Sequence, residues 1–155
     1  MELIAFKEHA QDGRGIKRPA ERETVVGPNS CKIALAHGSL IARSIHSDVL
    51  LVFYAPTVKL GMMLRLGNNP DQITFANSAL GMVLTELSAL GVQRQELVVY
   101  EIGGLSPRSK CLRCLRHLLA TEKIAVRASD VGNNQVRSAW LSLDSGRLIV
   151  RGKAN

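Results

Sequence analysis

Aromatic residues are scarce, at 4% of the 155-residue chain, so any core must be built mainly from aliphatic side chains; with 46% of the residues hydrophobic, that supply is ample. There are only three cysteines, an odd number, and no export signal accompanies them, which argues against a disulfide framework. No apolar run approaches the ~20 residues a membrane helix needs. The opening stretch MELIAFKEHAQDGRGIKRP mixes acids with bases and holds no apolar segment of signal-peptide length. The expectation is a cytoplasmic protein with reduced thiols. Neither a repeat nor a linker interrupts the chain, and residues 1–155 suit one domain with its own core.

Positive charge is in excess, at +7, but unevenly placed. Residues 1–23 balance acids against bases, whereas Arg108, Lys110, Arg113, Arg116, Lys123 and Arg127 face only Glu122 in their stretch. Such a patch suits an acidic protein surface or nucleic acid; a solvated helix face is the plainer reading.

Residues 1–23 are expected to form an N-terminal arm, with EHAQDGRGIKRPAER (8–22) as its loop or mobile part. Short strands are expected at Thr24–Val26, Lys32–Ala36 and Ser39–Arg43, separated by turns at Gly27-Pro28-Asn29 and His37-Gly38. Val49–Tyr54 reads as a half-buried strand, and Lys59–Leu66 as the next one after the Ala55-Pro56-Thr57 bend. Ile73, Ala76, Leu80, Val83, Leu87 and Leu90 recur at helical spacing up to Gly91, a natural C-cap. Glu96–Ile102 is a further strand. Ser106-Pro107 then reads as N-cap and first position of a second helix, with Cys111, Leu112, Leu115, Leu118 and Leu119 inward. Ile124–Ala128, Val136–Leu143 and Arg147–Arg151 complete the strands, the last two as a hairpin about Leu143-Asp144-Ser145-Gly146. The class is α+β.

From about Thr24 to Arg151 the order of these pieces resembles the CheD family of chemoreceptor glutamine deamidases. The resemblance is carried by Gly61-Met62-Met63, by Phe75-Ala76-Asn77 and the stripe to Gly91, and by Gly103-Gly104. It continues through Asp130-Val131-Gly132-Asn133 with Arg137 to the closing hairpin Asp144-Ser145-Gly146-Arg147-Leu148-Ile149-Val150-Arg151. It implies an α/β sandwich of two packed sheet layers with helices covering one side. It also implies hydrolysis of receptor glutamine side chains by a cysteine, with a histidine as its base and a threonine orienting that histidine.

Laid on the family pattern without a gap, Ile45–Arg65 puts Asp48 at the cysteine position, Arg65 at the histidine position and Ala42 at the threonine position. Val25–Ile33 then becomes the family's first strand. The competing register, through Asn29-Ser30-Cys31, needs a long insertion before Gly61 and still finds no histidine at Arg65. Thioester chemistry needs a reactive thiolate and a base that both takes and returns a proton. A carboxylate is a poor nucleophile toward an amide, and arginine stays protonated. A salt bridge between Asp48 and Arg65 is expected in place of the catalytic pair, preserving its charge pattern without its reactivity. Ser47, His46, Gly103, Gly104, Arg108 and Arg137 are expected to contribute binding.

The resemblance implies partners among chemoreceptor cytoplasmic helices or a CheC-like phosphatase, which docks as substrate does. It implies no cofactor. Two other functions compete: a deamidase working through Cys31 with His37 or His46, and a basic nucleic-acid binder. The latter is disfavoured by the want of stacking aromatics, Trp140 being alone after Tyr100. Cys111 and Cys114 have a CxxC spacing, but no second ligand pair follows and His117 alone does not complete a site, so no metal is expected. His9 has no evident partner.

Overall fold

The computed structural model describes residues 2–9, 23–67, 69, 71–103, 106 and 108–154. Residues 10–22, most of the expected arm, lie outside the described residues, as do Gly104 and Pro107. The elements are, in chain order, β1 (Glu2–His9), β2 (Glu23–Val25), β3 (Ser30–Leu35), β4 (Ser39–Ile45), β5 (Val49–Ala55), β6 (Leu60–Leu66), α1 (Gln72–Ala89), β7 (Val98–Gly103), α2 (Lys110–Thr121), β8 (Val126–Val131), β9 (Gln135–Ser142) and β10 (Arg147–Ala154).

Two five-stranded mixed sheets result, one ordered β1-β10-β9-β4-β2 and the other β3-β6-β5-β7-β8. Leu40, Ala42 and Ile45 of β4 and Ala139 and Leu141 of β9 meet Leu50, Val52 and Tyr54 of β5, Met63 of β6 and Ile102 of β7 between the sheets. The other face of the second sheet, through Leu51, Phe53, Met62 and Leu64, packs on Leu80, Val83 and Leu87 of α1 and Leu112, Leu115 and Leu119 of α2. The order of layers is sheet, sheet, helices, as the α+β sandwich reading requires.

That order explains the sequence of β5. VLLVFYA is apolar throughout because the middle layer is covered on both faces, and every residue of β5 and of β6 is buried. The half-buried expectation for this strand is therefore corrected. β9, in the outer sheet, alternates buried and half-buried positions. Close approach of the sheets leaves no room beside Gly61, whose missing Cβ would lie 3.0 Å from Leu141 Cδ2 and nearer still to Leu143 Cδ2.

Several boundaries move for local reasons. β1 lies in the expected arm and pairs in parallel with β10. Val25–Ile33 is not one strand: β2 joins β4 in one sheet and β3 joins β6 in the other, on either side of the Pro28-Asn29 turn. A short 3-10 turn, Arg94–Glu96, is capped by the Glu96 carboxylate accepting from the Gln93 amide at 2.8 Å, so β7 starts later than expected. α2 begins at Lys110, not after Ser106, because Ser109 Oγ accepts from the Leu112 amide at 3.2 Å while Ser106 Oγ is used by the Arg108 amide. Leu90, the last residue of the predicted α1 stripe, is exposed. Beyond it Gly91 has φ +73° and ends the helix as expected.

Candidate functional site

β4 and β5 belong to different sheets, so His46-Ser47-Asp48 is the corner where the chain crosses from one layer to the other. Asp48 stands at the start of β5, and Arg65 lies on the neighbouring strand, where it pairs with Leu50. Side chains alternate along β6: Met62, Leu64 and Leu66 face the helices, and Arg65 points the other way, toward the first sheet. There β4 is bulged. From Ala42, opposite Ala139, to Ile45, opposite Arg137, β4 takes three steps against two on β9. Ser44, within the bulge, has φ +55°.

The bulge turns carbonyls toward the guanidinium. Arg65 Nε donates to Asp48 Oδ2 at 2.5 Å. Nη1 donates to the carbonyl of Arg43 at 2.8 Å and, more weakly, of Val26 at 3.5 Å, and Nη2 donates to the carbonyl of Ser44 at 3.0 Å. Four acceptors thus engage a group that offers five N–H bonds. Asp48 Oδ1 accepts from the His46 amide at 3.4 Å. Both side chains are largely enclosed, at 7% exposure for Arg65 and 14% for Asp48. Ala42 is fully buried between the sheets and offers only a methyl group.

Around this pair, His46 Nε2 lies 3.1 Å from Asn134 Oδ1. Asn134 and Asn133 form the left-handed β8–β9 turn, at φ +47° and +61°. Gly103, at φ +94°, ends β7 against the corner; a Cβ there would fall 2.7 Å from the Asp48 carbonyl oxygen. Ser47 is exposed at the tip. Arg108 is exposed ahead of α2, and among the described residues its side chain forms no ion pair. Arg137, expected as a binding residue, is fully buried and donates through Nη2 to Asp130 Oδ1 at 3.1 Å. It joins β9 to β8 and hence one sheet to the other by an ion pair, where Arg65 reaches the first sheet through backbone carbonyls of β4.

Arginine cannot act as a base near neutrality, and Nε, Nη1 and Nη2 each already donate to Asp48 or to a backbone carbonyl.

Cys31 lies apart from this pair. It pairs with Leu64 and packs on the helix-side core, across the second sheet from Asp48 and Arg65. Burial pushes its thiol above the ordinary value, although nearby Lys32 opposes the shift. His37 is engaged by Asp144 at 3.2 Å, and it follows the far end of β3, whose four steps from Cys31 to Leu35 alone span roughly 13 Å at the usual rise of a strand. Cys111 is buried with Sγ 3.7 Å from the Gly67 carbonyl, and desolvation raises its thiol too.

Sequence reasoning missed the carbonyls of Arg43, Ser44 and Val26, which no side-chain pattern announces. It also missed the partner of His46, although Asn133-Asn134 between two β-type runs is a legible turn signal. A third pair went unnoticed: Glu101, buried in β7, is held by Arg116 of α2, Nε to both carboxylate oxygens at 3.2 Å.

Comparison with known proteins gives these positions a context. The family described as CheD chemotactic sensory transduction matches residues 65–152. The matched span opens on Arg65 and leaves Ala42 and Asp48 ahead of it. A protein of Sulfurimonas denitrificans named probable chemoreceptor glutamine deamidase CheD is 26% identical over 130 residues, covering 73% of this chain and 83% of its own. A protein of Anaeromyxobacter dehalogenans named probable chemoreceptor glutamine deamidase CheD 2 is 28% identical over 135 residues, with coverages of 72% and 82%. No described helix is long and apolar enough to cross a membrane. With more than half of its length matched by the family pattern, the chain belongs to the CheD family.

Proposed function

We propose that this CheD-family chain works in chemotaxis as a cytoplasmic binding protein that does not hydrolyse glutamine. Its partner is a chemoreceptor cytoplasmic helix or a CheC-like phosphatase. The observation that carries this reading is the state of Arg65: a permanent cation, enclosed, with its donors committed to Asp48 and to carbonyls of β4. Glutamine hydrolysis by the family's route needs a thiolate to attack the carboxamide, a proton for the departing ammonia and a water to cleave the thioester. Asp48 is no thiolate, and Arg65 cannot cycle a proton. Direct attack by a water that Asp48 deprotonates would need a carboxylate basic enough to take a proton, and the Arg65 cation against Asp48 favours the ionised form over the protonated one.

Binding asks less of the site. The corner retains its shape through the ion pair, and Ser47 and His46 remain at its rim for a partner to meet. The names of the relatives make chemoreceptors the first partner to try. The test is to incubate glutamine-bearing receptor cytoplasmic fragments with the protein and follow both association and fragment mass. Association without the mass change of amide hydrolysis is expected; a mass change overturns the reading, as does failure to associate with both a receptor fragment and a CheC-like protein.

A further inference from the structure

The outer face of α1 does not look like a helix face at rest in water. α1 buries Ala76, Ala79, Leu80, Val83 and Leu87. Its opposite side should therefore be rich in charge, yet Glu86 is the one charged residue in the 18-residue helix. In place of charges it exposes Phe75 and Met82, the latter at 55%. Phe75, Ser78, Met82, Thr85 and Ala89 are all exposed and follow one another at alternating spacings of three and four, so they form one face of the helix, uncharged throughout and apolar at Phe75, Met82 and Ala89. Beside this face runs a groove of about 650 Å³, bounded by Gly81, Thr85, Ser88 and Ala89 on α1 and by the Arg94–Glu122 ion pair on the other side. Small residues along one wall let a second backbone come close.

Charge identifies the occupant. On the adjoining α2, Lys110 and Arg113 are exposed, with Arg108 ahead of it and Lys123 beyond it, and none pairs with a described acid. A second copy of this chain, itself at +7, would bring like charge against like. A nucleic acid would meet the basic side but gain nothing from Phe75 and Met82. We infer that the α1–α2 face docks an amphipathic helix of another protein, apolar on one stripe and acidic on its flanks. This surface covers the far side of the second sheet from Asp48 and Arg65, so the inference holds whether or not the corner is catalytically silent.

The test uses a synthetic helical peptide a few heptads long, with leucine at its a and d positions and glutamate on its flanks, and a counterpart with lysine for glutamate. Amide shifts of the isotope-labelled full chain report the location, and titration reports the affinity. The glutamate peptide is expected to perturb Phe75, Met82, Thr85 and Arg113. Met82→Glu and Arg113→Glu, both at exposed positions, should each weaken it at least about tenfold, the loss typical of an anchoring contact. Equal binding of the lysine peptide overturns the proposal. So does an absence of shifts on α1 at about 1 mM peptide, shifts confined to the Asp48 corner, or indifference to Met82→Glu. A duplex DNA that binds α2 as tightly as the peptide while ignoring Met82→Glu would make the surface a nucleic-acid site, and a chain already dimeric through α1 would make it a self-interface; either result overturns the proposal.

Discussion

Arg65 and Asp48 clasp each other at the corner between the two sheets, and the same guanidinium holds the bulged edge of β4 through the carbonyls of Arg43 and Ser44. The two partners are unequal. Asp48 has the ion pair and one weak amide contact, whereas Arg65 has the ion pair and three carbonyls.

That inequality predicts the order of two substitutions. Arg65→Ala strands Asp48 and uncovers the carbonyls, and should cost about 3–5 kcal/mol. Asp48→Ala leaves Arg65 its carbonyl partners and should cost less, about 1–3 kcal/mol. Urea unfolding of both variants checks the order, and the reverse order would mean that the carbonyl contacts carry little weight.

Glu101 and Arg116 give a second prediction. Glu101 is 1% exposed at its side chain while Arg116 is 42% exposed, so removing the cation strands a buried carboxylate. Arg116→Ala should destabilise by about 3 kcal/mol. Adding Glu101→Gln, which removes the charge, should restore part of that loss. A double variant less stable than Arg116→Ala would refute the account of this pair.

At Gly103 the positive φ and the proximity of the Asp48 carbonyl act together. Gly103→Ala should cost at least about 2 kcal/mol and shift the amide resonances of His46 to Val49. If neither stability nor those resonances change, the packing of β7 against the corner is wrong.

The pH dependence should appear on the alkaline side. Burial raises the acid groups of Cys31, Cys111, Tyr54 and Tyr100 above their ordinary values. Each then holds its proton more tightly folded than unfolded, so its contribution is whole below the unfolded pKa and is lost as pH rises through the folded one. Stability should fall above about pH 9, where unfolded thiols begin to ionise. Tyr54 donates to the Leu143 carbonyl at 2.5 Å, and Tyr54→Phe should flatten part of that fall. A pH-independent denaturation midpoint from neutrality to pH 10 would contradict this prediction.

The layers were legible because their patterns are local. The stripe from Ile73 to Leu87 ends at Gly91, and VLLVFYA announces burial, though not that both of its faces are covered. That fact depends on helices packed from elsewhere in the chain, which is why β5 was expected to be half-buried. The start of α2 was misread because two serines compete, and Ser109 alone reaches an amide of the helix. At the site, the charges of Asp48 and Arg65 were legible as a pair. The carbonyls that fix Arg65 were hidden because a bulge is a property of strand register and carries no side-chain signature. β1 pairs with the last strand, a contact across the length of the chain that periodicity cannot reveal.

The central claim is that an enclosed ion pair has replaced glutamine hydrolysis in this CheD-family chain. The most direct measurement is the mass of chemoreceptor cytoplasmic fragments, with glutamine at their modification sites, after incubation with the native protein. An active CheD deamidase serves as reference, and the Ala42→Thr, Asp48→Cys, Arg65→His variant is run in parallel. The prediction is unchanged glutamine with the native chain where the reference enzyme yields glutamate; turnover by the triple variant would add direct support for the positions assigned. Glutamate produced by the native chain would contradict the account and send the search for a nucleophile to Cys31.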